Sequence, residues 1–241
     1  REVARLLFAC RGRKWDRETG DWKRDPDRPP PSGSPVPRDR IIGSDVDRAS
    51  RKALSRFILI AVWTGTRHDA VLRLRWISPY RDGFVDVDRG ILRRKGAGVR
   101  ETSKSRPPAK LPRVLLRHMR RWKEADEAAG IRAVVHKADG QAYNSYLTKQ
   151  FAGVVADAGL DPTVVTPHVL RHTLVHWLLD RGASLHTVAA LIGCTVETLV
   201  RWYGKSTVDG QECAVSCLDD PRGMRRVGTR RSEARKDDAL E

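Results

Sequence analysis

Cysteine is scarce in this sequence. Four cysteines stand at positions 10, 194, 213 and 217 of the 241 residues, too few and too unevenly spread for a disulfide framework. The sequence also has no apolar run long enough to span a membrane and no signal peptide. These absences exclude the disulfide-rich secreted class and the membrane-spanning class, and we expect a protein of the reducing cytoplasm.

Acidic residues are outnumbered by basic ones. Lys and Arg total 46 against 30 Asp and Glu, which gives a net charge of +16. Because each phosphate that such a surface neutralises releases counterions, a polyanion is the natural partner. An arginine-rich surface inherited from a GC-rich genome would produce the same balance. The charge therefore indicates nucleic acid without establishing it.

The length and the 40% of apolar residues are enough for one well-packed domain, alone or with an appendage. We predict that this domain covers residues 1–218 and that residues 11–44, rich in Pro, Gly and charge, form a mobile loop or insertion. Residues 219–241 are charged and poor in apolar side chains, which predicts a disordered tail. The chain begins at Arg1 instead of methionine, so we expect a fragment or a processed form.

Helical periodicity dominates the pattern of apolar residues. It predicts helices over 2–12, 45–63, 67–74, 113–130 and 141–160, then three short helices in PHVLRHTLVHWLLDRG, LHTVAALIG and VETLVRWYGKS. Short β-like runs at 84–88, 91–94 and 109–112 predict a small open sheet with a glycine- and proline-marked turn before the last run. The sequence thus predicts a mainly α fold with a small antiparallel β-sheet.

The run TPHVLRHT carries the first chemically informative residues. His168 and Arg171 are three positions apart on a predicted helix, so their side chains leave one face, with His172 beside them. A guanidinium can fork across two phosphate oxygens, and an imidazole can exchange a proton near neutral pH. Incidental polar residues at a helix N-terminus would give the same spacing.

A second arginine and a tyrosine extend this pattern. Arg67 follows the break TGT and opens a helix, where backbone N–H groups already favour an anion. Together with Arg171 it could hold one phosphate from both sides and stabilise a pentavalent transition state. Tyr203 lies 32 residues after Arg171 and is a candidate nucleophile. A phenol with a pKa near ~10 needs cationic neighbours and a base for this role.

Four segments, in their order and spacing, resemble the catalytic domain of the tyrosine recombinase (phage integrase) family. They are TGTRHDAVLRLRW, SKSRPPAKLP, TPHVLRHTLVHWLLDRGASLHTVAALIG and WYGKS, and the resemblance extends over residues 2–205. It implies DNA cleavage and rejoining through a covalent 3′-phosphotyrosine, without a metal, ATP or another cofactor. It also implies duplex DNA as the partner, a homotetramer acting on two duplexes, and a bacterial or phage mobile element as the source.

The resemblance implies a role for each matched residue. Arg67 and Arg171 form the phosphate clamp, the pair of arginines that holds the scissile phosphate. Tyr203 is the nucleophile, whose attack frees a 5′-hydroxyl. Lys104 lies eight residues before Pro112, as the hairpin lysine of the family lies before its own proline, and is the general acid for the leaving oxygen.

Three further positions concern the proton and the support of the site. The resemblance implies that His168 helps proton transfer from the tyrosine and contacts the phosphate, and that Asp69 supports the site indirectly. Cys194 departs from the family pattern, which has His or Trp nine residues before the nucleophile. A thiol is a weak hydrogen-bond donor. Either the site works with less help, or the cysteine packs the helix of the nucleophile, or the protein is slow or inactive.

Two other functions fit parts of the same pattern. Type IB topoisomerases share the nucleophile chemistry and relax supercoils as monomers. A DNA-binding relic of a mobile element would keep the fold and the basic surface without catalysis, and Cys194 favours this alternative. The family has an N-terminal helical domain that closes around DNA, and no room remains for it upstream of residue 2, so we expect a truncated form or a remnant.

The spacing of the histidines and the positions of the tryptophans favour structural roles over a metal site or base stacking. Three histidines recur at four-residue intervals and would form a metal-binding face, but an arginine between them would repel a cation, so we expect no metal site. They are His168, His172 and His176. Core packing accounts for the four tryptophans in or beside apolar stretches, which are Trp63, Trp76, Trp177 and Trp202.

Overall fold

The structure is a computed structural model, and it describes residues 1–22, 45–77, 80–100, 105–143 and 147–203. For 45–47 it describes the backbone only. Lys104 and the predicted tail 219–241 lie outside the described residues, as does 23–44 of the predicted loop. The remaining chain forms helices and two small sheets.

Eight helices make up most of the described chain, as the apolar periodicity predicts. They are α1 (Glu2–Ala9), α2 (Asp45–Thr64), α3 (His68–Leu72), α4 (Arg113–Ala128), α5 (Thr148–Asp157), α6 (Pro167–Leu179), α7 (Leu185–Ile192) and α8 (Val196–Tyr203). Local sequence signals set the ends of several helices. Pro167 occupies the first turn of α6, the Ser184 side chain caps α7, and Gly193 ends α7 in the left-handed conformation.

One predicted helix is shorter than expected. The apolar pattern predicts a helix over 141–160, whereas α5 begins only at Thr148. Ala142 instead pairs with His136 in an antiparallel bridge, and the Asp139 side chain accepts a hydrogen bond from the Gln141 amide in a local turn. These contacts keep Gln141 and Ala142 out of a helix, which the periodicity of apolar residues cannot reveal.

The larger sheet is the predicted one. Its strands β3 (Phe84–Asp86), β4 (Ile91–Arg93) and β5 (Ala109–Lys110) are antiparallel in the order β3-β4-β5. Val85 pairs with Leu92, and Leu92 with Ala109, so that one face of the sheet is buried. The fold class, mainly α with a small antiparallel sheet, is confirmed.

The prediction of a loop over 11–44 is wrong for its first part. Strands β1 (Trp15–Asp16) and β2 (Asp21–Trp22) form a hairpin whose two tryptophan rings meet edge to face at 5.2 Å. Arg17 donates hydrogen bonds to the carbonyls of Gly159 and Leu160 just after α5. Aromatic packing and these bonds therefore order a segment whose composition indicates a loop.

Helix α2 lies at the centre of the core. It packs against α6, α5 and α3, and its Phe57 and Ile58 are fully buried. A second apolar cluster joins α6, α7 and α8 around Val175, Val188 and Leu199 and includes Tyr203. Helix α8 is thus held by its own apolar contacts, which fixes the residue at its end.

The tryptophans fit the core interpretation with one exception. Trp76 is buried, and the partly buried rings of Trp63 and Trp177 lie 6.2 Å apart. Trp202 is 69% exposed, so the expectation of core packing is wrong for this residue. Its helix turns Leu199 and Tyr203 toward the core, which places Trp202 on the opposite side.

A buried ion pair lies in the core outside the site described below. Arg56 donates two hydrogen bonds to Asp126, at 2.5 and 2.9 Å, and Trp76 donates a third at 2.9 Å. Burial raises the pKa of Asp126, but the His136 ring at 3.4 Å and the hydrogen bonds from Arg56 and Trp76 outweigh it and hold that pKa at about 2. In the described residues, no helix is both long and apolar enough to cross a membrane.

Candidate active site

The break TGT after α2 forms a tight turn beneath the site. Thr64 closes α2 by donating its hydroxyl to the Ile60 carbonyl, and Gly65 follows with a φ of +63°. A Cβ at Gly65 would lie 3.1 Å from the side chains of Ile192 and Leu174, so the turn packs closely on α6 and α7. Glycine therefore meets both the backbone and the space requirement at this position.

Arg67 follows this turn as the N-cap residue of α3. Its guanidinium donates hydrogen bonds to the carbonyls of Ser105, at 3.1 Å, and Gly193, at 3.4 Å. Ser105 begins the hairpin return segment (residues 105–108) that leads into β5, and Gly193 ends α7. Arg67 thus bridges two segments that are distant in sequence.

Arg171 lies on α6 and is almost buried. Its Nη1 donates a hydrogen bond of 2.7 Å to the carbonyl of Gly65. Gly65 lies in the turn that Arg67 follows, so both clamp arginines are attached to this turn. Burial and then the nearby Arg67 cation lower the pKa of Arg171 to about 10, so it stays protonated at neutral pH. Among the described residues that line the space around them, the two guanidinium cations have no carboxylate, and this arrangement favours an anionic ligand.

Tyr203 at the end of α8 faces α6. Its hydroxyl is in hydrogen-bond contact with Nδ1 of His172, and its ring meets that of His176 edge to face at 5.1 Å. Burial raises the pKa of the Tyr203 phenol, Arg171 opposes this, and Cys194 adds to it. The phenol therefore stays protonated near neutral pH and needs a proton acceptor.

The resemblance implies that His168 helps proton transfer from the tyrosine, but the histidine in contact with the phenol is His172. The His168 ring, one helical turn before His172 on α6, packs edge to face against the His172 ring at 4.7 Å. Burial, followed by His168, His176 and Arg171, lowers the pKa of His172, which keeps its ring neutral at pH 7. The sequence places His172 beside His168 and Arg171 on one helix, but its contact with Tyr203 comes from the packing of α6 and α8.

Most of the predicted site residues line one cavity of about 390 Å³. Seven of its lining residues matter here: Arg67, His168, Arg171, His172, Cys194, Trp202 and Tyr203. Both clamp arginines and the tyrosine thus line one space. The exposed Trp202 forms part of its rim, and apolar side chains of α7 and α8 complete the wall.

Asp69, the predicted supporting residue, and Cys194, the predicted variant position, lie in different surroundings. Asp69 lies outside the cavity lining and forms an ion pair of 3.6 Å with Arg106 of the hairpin return segment. Cys194 lines the cavity half-buried, and burial raises the pKa of its thiol although Arg171 and Arg67 oppose this. The thiol is therefore neutral and a weak donor.

One residue of the site was missed from the sequence. Arg94 follows β4 directly and is buried beneath the clamp. The signal was its spacing from Leu92, because strand residues two apart face the same side and Leu92 is in the core. In the described part of the chain, no group of three or more His, Cys, Asp or Glu side chains is arranged to hold a metal ion.

Comparison with known proteins identifies the family. The model of the phage integrase family matches residues 40–209, which is well over half of the chain, and the protein belongs to this family. The tyrosine recombinase XerD of Brucella suis biovar 1 is 41% identical over 54 residues, covering 22% of this chain and 18% of that protein. An integrase of Streptomyces ambofaciens is 27% identical over 172 residues, covering 61% of this chain and 43% of that protein. The chain thus spans less than half the length of either relative.

Solved structures show the same fold. The XerH site-specific recombinase, bound to its palindromic difH substrate after cleavage, matches with a TM-score of 0.54 and 18% identity over 88% of this chain and 50% of that one. The Tn1549 transposon integrase in complex with a circular intermediate DNA matches with a TM-score of 0.56 and 15% identity, over 80% and 67% of the two chains. At these identities the likeness shows the fold alone.

Proposed function

We propose that this protein cleaves and rejoins DNA strands in site-specific recombination or integration through a covalent 3′-phosphotyrosine. One observation carries the proposal: two arginines of the phosphate clamp and Tyr203 line a single cavity, and the tyrosine hydroxyl contacts a neutral imidazole. Membership of the phage integrase family supports the same reaction. The topoisomerase alternative has no support in the comparisons.

The cleavage step begins at the phenol. The oxygen of Tyr203 attacks the scissile phosphorus and forms the phosphotyrosyl bond, while the bond from phosphorus to the 5′ oxygen breaks. The phenol proton passes to Nδ1 of His172, which the contact between the two groups allows. Lys104, outside the described residues, supplies the proton for the 5′ oxygen in the role that the resemblance assigns to it.

The phosphate clamp stabilises the charge that develops during this attack. Arg171 stays cationic at neutral pH, and both arginines are held by backbone carbonyls. Donors that are fixed before the reaction need no reorganisation when charge appears on the phosphate oxygens. Rejoining is the reverse of cleavage, so the bond energy kept in the phosphotyrosine removes the need for ATP.

The proposal extends to partners and organisation. Duplex DNA fits the net charge of +16, and the XerH and Tn1549 proteins were solved with DNA. The homotetramer on DNA, the catalytic domain over 1–218 and the supporting role of Asp69 rest on the resemblance. The ion pair of Asp69 with Arg106 supports that role, because it links α3 to the hairpin return segment.

A covalent-trapping experiment tests the function. The substrate is a pool of duplexes with a randomised core, each carrying a bridging 5′-phosphorothiolate in place of the scissile 5′ oxygen. Its thiolate leaves without protonation and cannot easily rejoin, so a protein–DNA adduct accumulates and resists denaturation. We expect an adduct with the wild type and none with Tyr203→Phe. Salt-sensitive binding without any wild-type adduct would instead identify the DNA-binding relic.

A further inference from the structure

Arg94 is the most deeply buried cation near the site, with only 4% of its surface exposed. Within the described residues, its guanidinium makes four hydrogen bonds. Nε donates to the Thr66 hydroxyl at 3.0 Å, and Nη2 donates to the Thr64 carbonyl at 2.6 Å. Nη1 donates to the carbonyls of Pro107, at 2.5 Å, and Leu191, at 2.8 Å.

All four acceptors are uncharged oxygens. A buried guanidinium normally has a carboxylate partner, as Arg56 has in Asp126. Burial, followed by the nearby Arg171 and Arg67, lowers the pKa of Arg94 to about 10 and leaves it cationic at neutral pH. A third positive charge therefore lies beneath the phosphate clamp, where an anion in the cavity would offset it.

The acceptors of Arg94 belong to the segments that also hold the clamp. Thr64 and Thr66 flank Gly65, whose carbonyl accepts the hydrogen bond from Arg171. Pro107 lies two residues after Ser105, and Leu191 two residues before Gly193. The carbonyls of Ser105 and Gly193 accept the bonds from Arg67. One side chain thus ties together the three segments that orient both clamp arginines.

We propose that Arg94 is a positioning residue of the phosphate clamp: its fork of donors fixes the turn 64–66, the hairpin return segment and the end of α7 relative to one another. The inference deepens the proposed function and rests on it. A lysine at this position would keep the charge but not the fork, because one ammonium cannot reach four acceptors spread around a planar guanidinium.

The test compares Arg94→Met and Arg94→Lys with Arg56→Met, a buried arginine outside the cavity. Single-turnover adduct formation on the phosphorothiolate duplex is measured at saturating protein, well below the melting temperature of each variant. We expect both Arg94 variants to be slower than the wild type by about 100-fold, the typical cost of a misplaced catalytic group. Arg56→Met loses stability and keeps its cleavage rate. Full rescue by Arg94→Lys, or an Arg94→Met rate equal to that of Arg56→Met, would overturn the proposal.

A second readout does not depend on cleavage. Millimolar inorganic sulfate, compared with sodium chloride at equal ionic strength, should raise the melting temperature of the wild type and of Arg56→Met by binding in the clamp. The rise should be absent in Arg94→Met and in Arg94→Lys. If the wild type forms no adduct, the proposed function fails while this readout still decides the role of Arg94. A sulfate effect that is retained in both Arg94 variants would refute it.

Discussion

The hydroxyl of Tyr203 and Nδ1 of His172 are in hydrogen-bond contact, which joins the last turn of α8 to the middle of α6. The two residues are 31 positions apart in sequence, and the apolar cluster between α6, α7 and α8 brings them together. The contact gives the proposed nucleophile a proton acceptor within reach. Because burial, the two neighbouring histidines and Arg171 lower the pKa of His172, that acceptor is available at pH 7.

His172→Phe should therefore slow cleavage at pH 7 by about 100-fold or more, the usual contribution of a positioned general base. The phosphorothiolate substrate should not restore the rate, because it assists the leaving group and leaves the nucleophile unaided. His176→Phe is the matched control, since His176 packs against the Tyr203 ring without a hydrogen bond to its hydroxyl. Single-turnover cleavage is the measurement. A larger loss in His168→Phe than in His172→Phe would return the proton role to His168.

The pH profile checks the same assignment. The groups that face His172 are His168, His176, Arg171 and Tyr203, and burial together with the first three lowers its pKa below 6.5. The neutral form that accepts the proton therefore persists below pH 6.5, and the wild-type cleavage rate should fall only at more acidic pH. His172→Phe should lose this acid limb, and an unchanged limb in that variant would assign the titration to another group.

Sequence periodicity and turn residues were enough to place the helices and the three-stranded sheet, because each of these signals acts over a few residues. The contact of His172 with Tyr203 depends instead on how α6 and α8 pack, which no local pattern records. The hairpin at Trp15 and Trp22 was missed because its order comes from packing on the chain after α5. Arg94 was missed for a related reason, since its acceptors come from three distant segments.

Lys104 provides a prediction that depends on the resemblance. If this lysine protonates the 5′ oxygen, Lys104→Ala should cleave an ordinary phosphodiester about 100-fold more slowly than the wild type. With the 5′-phosphorothiolate the loss should almost vanish, because a thiol with a pKa near ~8.5 leaves without a proton. Lys110→Ala, an exposed lysine of β5, is the control. Equal losses on both substrates would exclude Lys104 as the general acid.

Cys194→His tests the variant position. The cysteine lines the cavity with Arg67 and Arg171, and an imidazole there would add a stronger donor toward the phosphate. We expect cleavage to accelerate at least about tenfold, since a hydrogen bond to a charged group contributes about 1.5–3 kcal/mol. Cys194→Ala removes the thiol without adding a donor and should stay near the wild-type rate. An unchanged or lower rate in Cys194→His would indicate that α8 has adapted to the small side chain.

The buried pair of Arg56 and Asp126 should dominate stability away from the site. Asp126→Asn leaves the Arg56 cation buried without a counter-charge, so the free energy of unfolding should fall by about 3–5 kcal/mol. Asp82→Asn breaks the half-exposed pair with Arg75 and should cost about 1 kcal/mol or less. Denaturant melts provide both values, and equal costs for the two changes would contradict the prediction.

The same pair also fixes the response to acid. The pKa of Asp126 lies at about 2 in the folded chain, below its ordinary value of 3.8. Its contribution is therefore complete above pH 3.8 and is lost as the pH falls toward 2. Over this window the melting curves of Asp126→Asn should change less with pH than those of the wild type.

Alanine substitutions at Gly193 and Gly130 distinguish the effect of backbone strain from the effect of crowding at the site. Both have a positive φ, +71° and +68°, so an alanine at either position costs about 1–2 kcal/mol for the left-handed conformation. A Cβ at Gly130 would meet nothing within 4 Å, whereas one at Gly193 would lie 2.5 Å from Pro107 and 2.6 Å from the Ser105 carbonyl. Gly193→Ala should therefore push the hairpin return segment away from α7 and break the carbonyl contacts of Arg67. We expect its cleavage rate to fall by about 100-fold, while Gly130→Ala loses only stability. Equal cleavage rates in the two variants, measured at matched distance below their melting temperatures, would show that the approach of these two segments does not control the clamp.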